Sequence, residues 1–279
     1  MKKSQSEQLL FCTTRLVGNN TAGTGFFFSY NGCVFLITNK HVIKDMSTGS
    51  FSLLQSNNNT VDNVPVFGAK EDFHFLNSEF IGHPNPNIDV TVMNISQKMN
   101  DYYTSGKSLY LHHVSKDLMP TPLDYETIIS PIENIIFVGY PDGLHDTNNN
   151  LPIVRRGITA SPCFYDFKGK NSRNEDIGGE KTFLVDASVF PGSSGSPVFI
   201  YYPWIYPDQN GNLNIGSKLF FLGIIARRTF GNESRKILGI DIYQEIDLGV
   251  VYKSDTIIET MDNYLKVANA TAQPTAVTA

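Results

Sequence analysis

Short apolar runs separated by clusters of glycine, proline, asparagine and aspartate make up most of the chain. Two of these runs flank Asn31-Gly32, a dipeptide that favours the type I′ turn of a two-residue β-hairpin. Runs of this length with frequent turn residues predict an all-β sandwich or barrel. The predicted strands are Phe26–Tyr30, Cys33–Thr38, Ser50–Leu54, Val64–Phe67, Asp89–Ile95, Ile135–Tyr140, Ile153–Ala160, Thr182–Ala187, Pro197–Tyr202, Leu219–Ala226 and Lys236–Ile242.

Helical periodicity is scarce outside the C-terminal region. Within Asp255–Val267 the apolar residues recur at helical spacing, which predicts an amphipathic helix there, followed by a flexible tail over 268–279. A proline-containing stretch, Ser115–Leu123, divides the rest of the chain into two strand-rich halves of similar size. We therefore expect one β lobe over residues 1–115 and a second over 116–254.

Composition and charge exclude several classes of protein. Hydrophobic residues make up 41% and charged residues 18% of the 279 residues, the balance of a globular protein with its own core. The net charge is −5 and no basic stripe could neutralise a run of phosphates, so no nucleic acid partner is expected. No apolar run forms a secretory signal or reaches the ~18 residues of a membrane span. We expect a cytoplasmic protein without membrane contact.

The cysteines and histidines form neither a disulfide framework nor a metal motif. Cys12, Cys33 and Cys163 are odd in number and widely spaced, so we expect free thiols. His112 and His113 are adjacent and would point to opposite sides of a strand, and no His-Glu-x-x-His motif is present. We interpret both as surface histidines and expect neither a metal ion nor another cofactor.

Candidate chemistry begins with the segment Phe190–Val198, in which small residues surround Ser194. Small neighbours allow a sharp turn that exposes the hydroxyl, and Gly192 has no Cβ to keep a substrate from its N–H group. The N–H groups of Gly192 and Ser194, with Ser193 between them, are suited to form an oxyanion hole. A flexible Gly/Ser turn explains the same segment equally well when it is considered alone.

A serine becomes nucleophilic only when a base removes its proton. His41 follows Leu36-Ile37-Thr38 by three residues and precedes Val42-Ile43, which places it at the end of a buried strand where a short helical turn begins. Asp89 lies in an apolar run, where a carboxylate needs a partner, and an imidazole N–H is a suitable one. The pair predicts a base, His41, oriented by Asp89. The alternative is a buried structural histidine and a turn-capping aspartate.

The order of these residues along the chain distinguishes between serine-hydrolase folds. His41 precedes Asp89 and Asp89 precedes Ser194, which is the order of the trypsin-like class. An α/β-hydrolase needs a histidine after its serine, but all six histidines precede Ser194. The segment Gly-Ser-Ser-Gly-Ser also lacks the final glycine of a nucleophile elbow. We therefore exclude an α/β-hydrolase.

Five short blocks occur in an order that points to one family. They are Gly23–Phe26, Ile37–Val42, Ile88–Val92, Val138–Pro141 and Asp186–Val198. Together they resemble the trypsin-like serine peptidases, and among these the bacterial Deg-type branch and related short intracellular peptidase domains without a PDZ module. The resemblance implies an all-β fold of two six-stranded antiparallel β-barrels with a short C-terminal helix. It also implies a catalytic triad of His41, Asp89 and Ser194.

The chain departs from the family pattern around the serine. Phe190 stands where the family has asparagine, Ser193 where it has asparagine or an acid, and Ser196 where it has glycine. Without an acid at 193, no buried ion pair with a cleaved N-terminus can form, so activation by the trypsinogen route is not expected. None of these departures removes a catalytic group.

The resemblance also implies a pocket for the substrate side chain that precedes the cut, and a strand that pairs with the substrate backbone. No aspartate lies at the expected floor, so cleavage after Lys or Arg is not expected. We expect small or medium apolar cleavage sites with acidic flanking residues, unless both arginines of the strand are simply solvated. The predicted substrate-binding residues are Ser188, Val189, Phe190, Ala226, Arg227 and Arg228.

These observations leave more than one function open. The first is a bacterial serine endopeptidase that cleaves protein or peptide substrates through an acyl-enzyme. The second, favoured by Phe190 and Ser193, is an inactive peptide-binding module on the same fold. The third is a peptidase held inactive until an activating protein partner engages its loops.

Overall fold

The computed structural model describes residues 4–18, 21–57, 64–171, 174–237 and 240–272, with side chains described in these ranges except at 228–246 and 271–272. The chain is mostly β-structure. The helices are α1 (Gln5–Leu9), α2 (Lys40–Ile43), α3 (Ser96–Thr104), α4 (Pro122–Thr127) and α5 (Asp255–Ala272). The strands are β1 (Thr13–Gly18), β2 (Thr21–Tyr30), β3 (Cys33–Thr38), β4 (Thr48–Asn57), β5 (Val64–Leu76), β6 (Ile81–Gly82), β7 (Thr91–Asn94), β8 (Leu109–Tyr110), β9 (Val114–Ser115), β10 (Asn134–Gly139), β11 (Ile153–Thr159), β12 (Lys168–Lys170), β13 (Asp176–Gly178), β14 (Thr182–Asp186), β15 (Pro197–Tyr202), β16 (Ile205–Pro207), β17 (Leu213–Ile215), β18 (Lys218–Ile237) and β19 (Ile240–Lys253).

The first nine strands form one sheet with the order β5-β4-β1-β2-β3-β7-β6, in which β8 also pairs with β4 and β9 with β2. Asn31 and Gly32 form the predicted β2–β3 turn, with positive φ values of 48° and 76°. The predicted closure of this sheet into a barrel is not seen among the described residues. The end strand β6 has only two residues and pairs with β7 alone, and β9 lies parallel to β2, so the sheet is not purely antiparallel.

The second half forms the closed six-stranded barrel β10-β11-β14-β19-β18-β15, as predicted for this half. Buried apolar side chains such as Phe137, Phe183 and Val251 fill it. β18 and β19 are 20 and 14 residues long, and they continue past their barrel neighbours as a two-stranded hairpin. The single strand predicted at Lys236–Ile242 is wrong, because Ile237 pairs with Ile240 across the end of this hairpin.

β2 joins the two sheets through both of its faces. Phe27 packs in the core of the first sheet, and Phe26 and Phe28 point to the opposite side, as alternate residues of a strand must. Their ring centroids lie 5.5 and 6.0 Å from that of Phe221 in β18. Full burial of a side chain of this size contributes about 1.5–3 kcal/mol. The shared core therefore holds β2 firmly at the junction.

α5 packs against the same shared core, in which Ile257 and Met261 are fully buried. The predicted C-terminal helix is thus present, although it extends to Ala272 and not to 267. The rest of the predicted tail, 273–279, lies outside the described residues. The Tyr30 hydroxyl donates a hydrogen bond to Asp262 of the helix at 2.9 Å, which fixes α5 to β2.

A polar cluster links α5 to both sheets, and we call its members, His83, Lys181 and Glu259, the α5 clasp. Glu259 accepts a hydrogen bond from His83 Nε2 at 2.9 Å and pairs with Lys181, whose ammonium also lies 3.1 Å from Asp255. Partial burial opposes both charges, but the hydrogen bonds outweigh it. They lower the pKa of Glu259 and raise the pKa of Lys181. Both groups therefore stay charged around neutral pH.

The three cysteines are free thiols, as expected from the sequence. Burial raises the pKa of Cys12 to about 12 and that of Cys163 to about 11, so neither is a ready nucleophile. Within the described part of the chain, no three His, Cys, Asp or Glu side chains are grouped so that they could hold a metal ion. The described helices include none that is long and apolar enough to span a membrane.

Candidate active site

His41 lies in α2, directly after β3. The strand runs through the core to Thr38, and Asn39 then leaves it in an extended conformation and begins the one-turn helix. Val42 packs on Gly23 of β2, where a Cβ would lie 2.5 Å from Val42 Cγ1. Only glycine allows α2 to approach β2 this closely. The turn presents the His41 side chain, which is 47% exposed, to solvent.

Asp89 lies just before β7 and holds His41 through both carboxylate oxygens. Oδ2 is 2.5 Å from His41 Nδ1, and Oδ1 accepts the His41 backbone N–H at 3.0 Å. The side-chain amide of Asn39 donates to the Asp89 carbonyl at 2.6 Å, which fixes the backbone as well. Because Nδ1 faces a carboxylate, it carries the proton, and Nε2 keeps its lone pair. The imidazole is therefore arranged to accept a proton at Nε2.

The loop around Ser194 is docked between β2 and β18. The Ser194 carbonyl accepts the Thr24 N–H at 3.0 Å, and the Gly195 N–H donates to the Ile225 carbonyl at 2.9 Å. The Thr38 hydroxyl donates to the Thr24 carbonyl at 2.8 Å, the same carbonyl against which Gly195 packs. Since His41 follows Thr38 by three residues, these contacts bring the serine loop to the end of β3, close to the start of α2, in which His41 is the second residue.

Replacing Gly195 with alanine is expected to undock this loop. Gly195 has a φ of 93°, and an added Cβ would lie 1.8 Å from the Thr24 carbonyl oxygen. Left-handed strain together with overpacking should lower the free energy of unfolding by about 2–5 kcal/mol, measured by urea denaturation. Gly32→Ala is the matched control, because Gly32 also has a positive φ but no atom lies within 4 Å of its added Cβ. An equal decrease in the free energy of unfolding in both variants would show that the close contact between Gly195 and Thr24 does not hold the loop.

The segment before Ser194 sets the direction of the candidate oxyanion donors. The Asp142 N–H donates to the Pro191 carbonyl at 2.5 Å, and because the peptide is planar and trans, the Gly192 N–H points away from Asp142. Gly192 has a φ of 85°. Among the described residues, neither the Gly192 N–H nor the Ser194 N–H donates a hydrogen bond to a protein acceptor. Both donors are therefore available to a ligand.

Ser193 was predicted as part of the oxyanion hole, but its N–H group is used inside the turn. Its N–H donates to the Phe190 carbonyl at 3.0 Å, so it is not free for an oxyanion. Its hydroxyl accepts the Phe190 N–H at 3.3 Å. These two hydrogen bonds between Ser193 and Phe190 stabilise the turn that precedes Ser194. A small hydroxyl residue thus stabilises the loop at the position where the family has asparagine or an acid.

The Ser194 hydroxyl donates to the Ala226 carbonyl at 2.8 Å. Within the described part of the chain, no hydrogen bond joins this hydroxyl to His41. The hydroxyl must therefore rotate away from Ala226 before its proton can reach Nε2. The candidate nucleophile is in place, but it is held in a resting orientation.

The predicted substrate-binding residues separate into buried and accessible groups. Val189 is buried in the barrel core against Gly249, so its side chain does not line an open pocket floor, whereas Ser188 is half-buried. The exposed Phe190 ring lies under Arg155, with the guanidinium carbon 4.8 Å from the ring centroid. The remaining three positions lie on β18.

On β18, Ala226 is buried and offers its carbonyl to Ser194. Arg227 is exposed and donates to the Asp176 carbonyl at 3.3 Å, which ties β18 to the β12–β13 hairpin. The backbone of Arg228 pairs with Gly249, and its side chain lies outside the described part of the structure. Arg227 thus places a positive charge one residue beyond the contact with the candidate nucleophile.

Several residues that organise the site were not singled out from the sequence. Thr24, Thr38 and Asn39 fix the serine loop and the Asp89 backbone, and Asp142 orients the Gly192 peptide. All four lie within or beside the sequence blocks that contain the family resemblance. Their side chains are small and polar, so only their position in those blocks could have indicated a role.

A β-barrel beside a second β-sheet, with the His41–Asp89 pair and the Ser194 loop at their junction, defines a trypsin-like serine peptidase. The model of the trypsin-like peptidase domain family matches residues 23–201, which include all three positions. The chain therefore belongs to the trypsin-like peptidase family, and it is a serine endopeptidase by class. A comparison with curated proteins gives no match.

Three of the solved structures that are similar to this chain are proteases of low sequence identity to it. The MamO protease domain of Magnetospirillum magneticum (apo form) is 14% identical, with 91% of this chain and 97% of that chain covered and a TM-score of 0.49. The serine endoprotease of Yersinia pestis is 15% identical, with 96% and 69% covered and a TM-score of 0.47. The inactive form of Rv3671c from M. tuberculosis is 13% identical, with 97% and 92% covered and a TM-score of 0.46.

Proposed function

We propose that this chain hydrolyses peptide bonds with a triad of Ser194, His41 and Asp89. His41 Nε2 takes the hydroxyl proton as Ser194 Oγ attacks the scissile carbonyl, and His41 then gives the proton to the leaving amine. Water, deprotonated by His41, releases the acyl group from Ser194. The 2.5 Å contact between His41 Nδ1 and Asp89 carries this proposal, because it leaves Nε2 as the base.

The tetrahedral intermediate places a negative oxygen beside Ser194. The free N–H groups of Gly192 and Ser194 support a two-donor oxyanion hole, and each such donor contributes about 2.7–4 kcal/mol to the transition state. Ser193 has no part in it, since its N–H is used within the turn.

The resting orientation of Ser194 supports a latent form of the enzyme. Its hydrogen bond to Ala226 must be broken before His41 can act. A substrate or an activating protein that engages β18 next to Ala226 would shift this hydroxyl. The same hydrogen bond is also compatible with a second candidate function, a peptide-binding module without catalysis.

A fluorescent fluorophosphonate probe tests the proposal. The folded wild-type chain is expected to form one covalent adduct, located on Ser194 by mass spectrometry, and neither Ser194→Ala nor His41→Ala should be labelled. Labelling only after addition of cell extract would identify the latent form. A folded wild-type chain that stays unlabelled under both conditions would contradict catalysis and support the peptide-binding module.

A further inference from the structure

The segment between β6 and β7 carries Asp89 and is closed by His83. The His83 N–H donates to the Val90 carbonyl at 2.9 Å, so the backbone before and after the segment meets at this residue. The His83 carbonyl accepts the Lys40 ammonium at 3.1 Å, one residue before His41. His83 therefore contacts both chain segments that present the His41–Asp89 pair.

The orientation of the His83 ring is set by the α5 clasp. The ring is 5% exposed, and its Nδ1 accepts the Asn85 N–H at 3.0 Å. Nε2 must then carry the proton that it donates to Glu259. Glu259 is held in turn by Lys181, which precedes β14 in the barrel. A carboxylate on α5 thus fixes the ring that closes the Asp89 segment.

We propose that Glu259 is a positioning residue for the triad, acting through His83 on Asp89. This inference rests on the proposed peptidase function. Without the Glu259 carboxylate, the buried Nε2–H of His83 loses its acceptor, and the ring must move to find another. The Val90 carbonyl and the neighbouring Asp89 move with it. Displacements of about 1 Å at a catalytic group can cost up to about 100-fold in rate.

Three variants separate positioning from stability. Glu259→Ala is expected to lower kcat on fluorescein-labelled casein by about 10- to 100-fold with KM within about twofold, because Glu259 does not touch substrate. Glu259→Gln should retain most of kcat, since the amide oxygen still accepts from His83. Asp262→Ala removes another polar contact of α5, the one to Tyr30, and should lower Tm without lowering kcat. An unchanged kcat in Glu259→Ala, or a loss of kcat in Asp262→Ala equal to that in Glu259→Ala, would overturn the proposal.

A second measurement does not depend on turnover. The His41 Nδ1 proton, shared with Asp89, should give a low-field proton NMR resonance that is absent in Asp89→Asn. Glu259→Ala should move or broaden this resonance, and Asp262→Ala should leave it in place. If Glu259→Ala shifts this resonance but fluorophosphonate never labels the wild-type protein, the peptidase function alone is refuted. An unchanged resonance in an active enzyme would refute the positioning role alone.

Discussion

Alanine in place of either Ser194 or His41 is expected to lower kcat for casein cleavage by about 10⁶-fold. The serine hydroxyl is a weak nucleophile unless Nε2 takes its proton, and an imidazole without the hydroxyl has no bond to form with the substrate. The two groups act as one unit, so the double variant should be no slower than either single variant. Initial rates with fluorescein-labelled casein, together with active-site titration by the fluorophosphonate, give kcat for the wild type and for each variant.

The matched control for this prediction is His74→Ala, which removes an exposed histidine of β5. Its kcat should stay within about twofold of the wild type, because surface substitutions rarely disturb a folded protein. Circular dichroism should show that the variants fold. A Ser194→Ala protein that still cleaves casein at a hundredth of the wild-type rate would show that another residue is the nucleophile.

Asp89→Asn is expected to lower kcat by about 10⁴-fold with little change in KM. The carboxylate now accepts both the Nδ1 proton and the backbone N–H of His41. An amide that turns its NH₂ toward Nδ1 favours the tautomer with the proton on Nε2, and that imidazole cannot act as the base. The carboxylate also stabilises the imidazolium that forms during attack, and a neutral amide does so less well.

Asp72→Asn controls for the loss of a hydrogen-bonded carboxylate elsewhere. Asp72 accepts a hydrogen bond from the Ser52 hydroxyl on the β4–β5 pair, away from the site. This variant should keep kcat, and its Tm should resemble that of Asp89→Asn. Equal and small effects on kcat in both variants would show that Asp89 does not orient the base.

The local sequence pattern predicted best those strands that pair with the next strand along the chain. β2 and β3 meet at Asn31-Gly32, a turn that two adjacent residues specify. β5 was predicted only over 64–67, although it extends to Leu76. Its second half begins with the charged run Lys70-Glu71-Asp72, which hides the strand, and polar and apolar residues alternate only from Asp72 to Phe75. β1 was missed because Arg15 and its polar neighbours obscure a strand of six residues.

The identity of the candidate site residues was predictable, but their contacts were not. Chain order and motif blocks singled out His41, Asp89 and Ser194, and the structure brings the first two into contact. The orientation of Ser194 depends on Ala226, 32 residues later, and the use of the Ser193 N–H depends on how the turn closes. The α5 clasp joins residues 176 positions apart. Tertiary contacts of this kind leave no periodicity in the sequence.

The shared core places a limit on when activity can begin during synthesis. His41 and Asp89 come from the first sheet and Ser194 from the barrel, and Thr24 on β2 binds the serine loop only when both are folded. Ile257 and Met261 of α5 fill the core between them. We therefore expect that a nascent chain whose α5 has not yet emerged from the ribosome lacks the assembled arrangement of His41, Asp89 and Ser194. Copies of the chain that are still being synthesised are then expected to be inactive as peptidases.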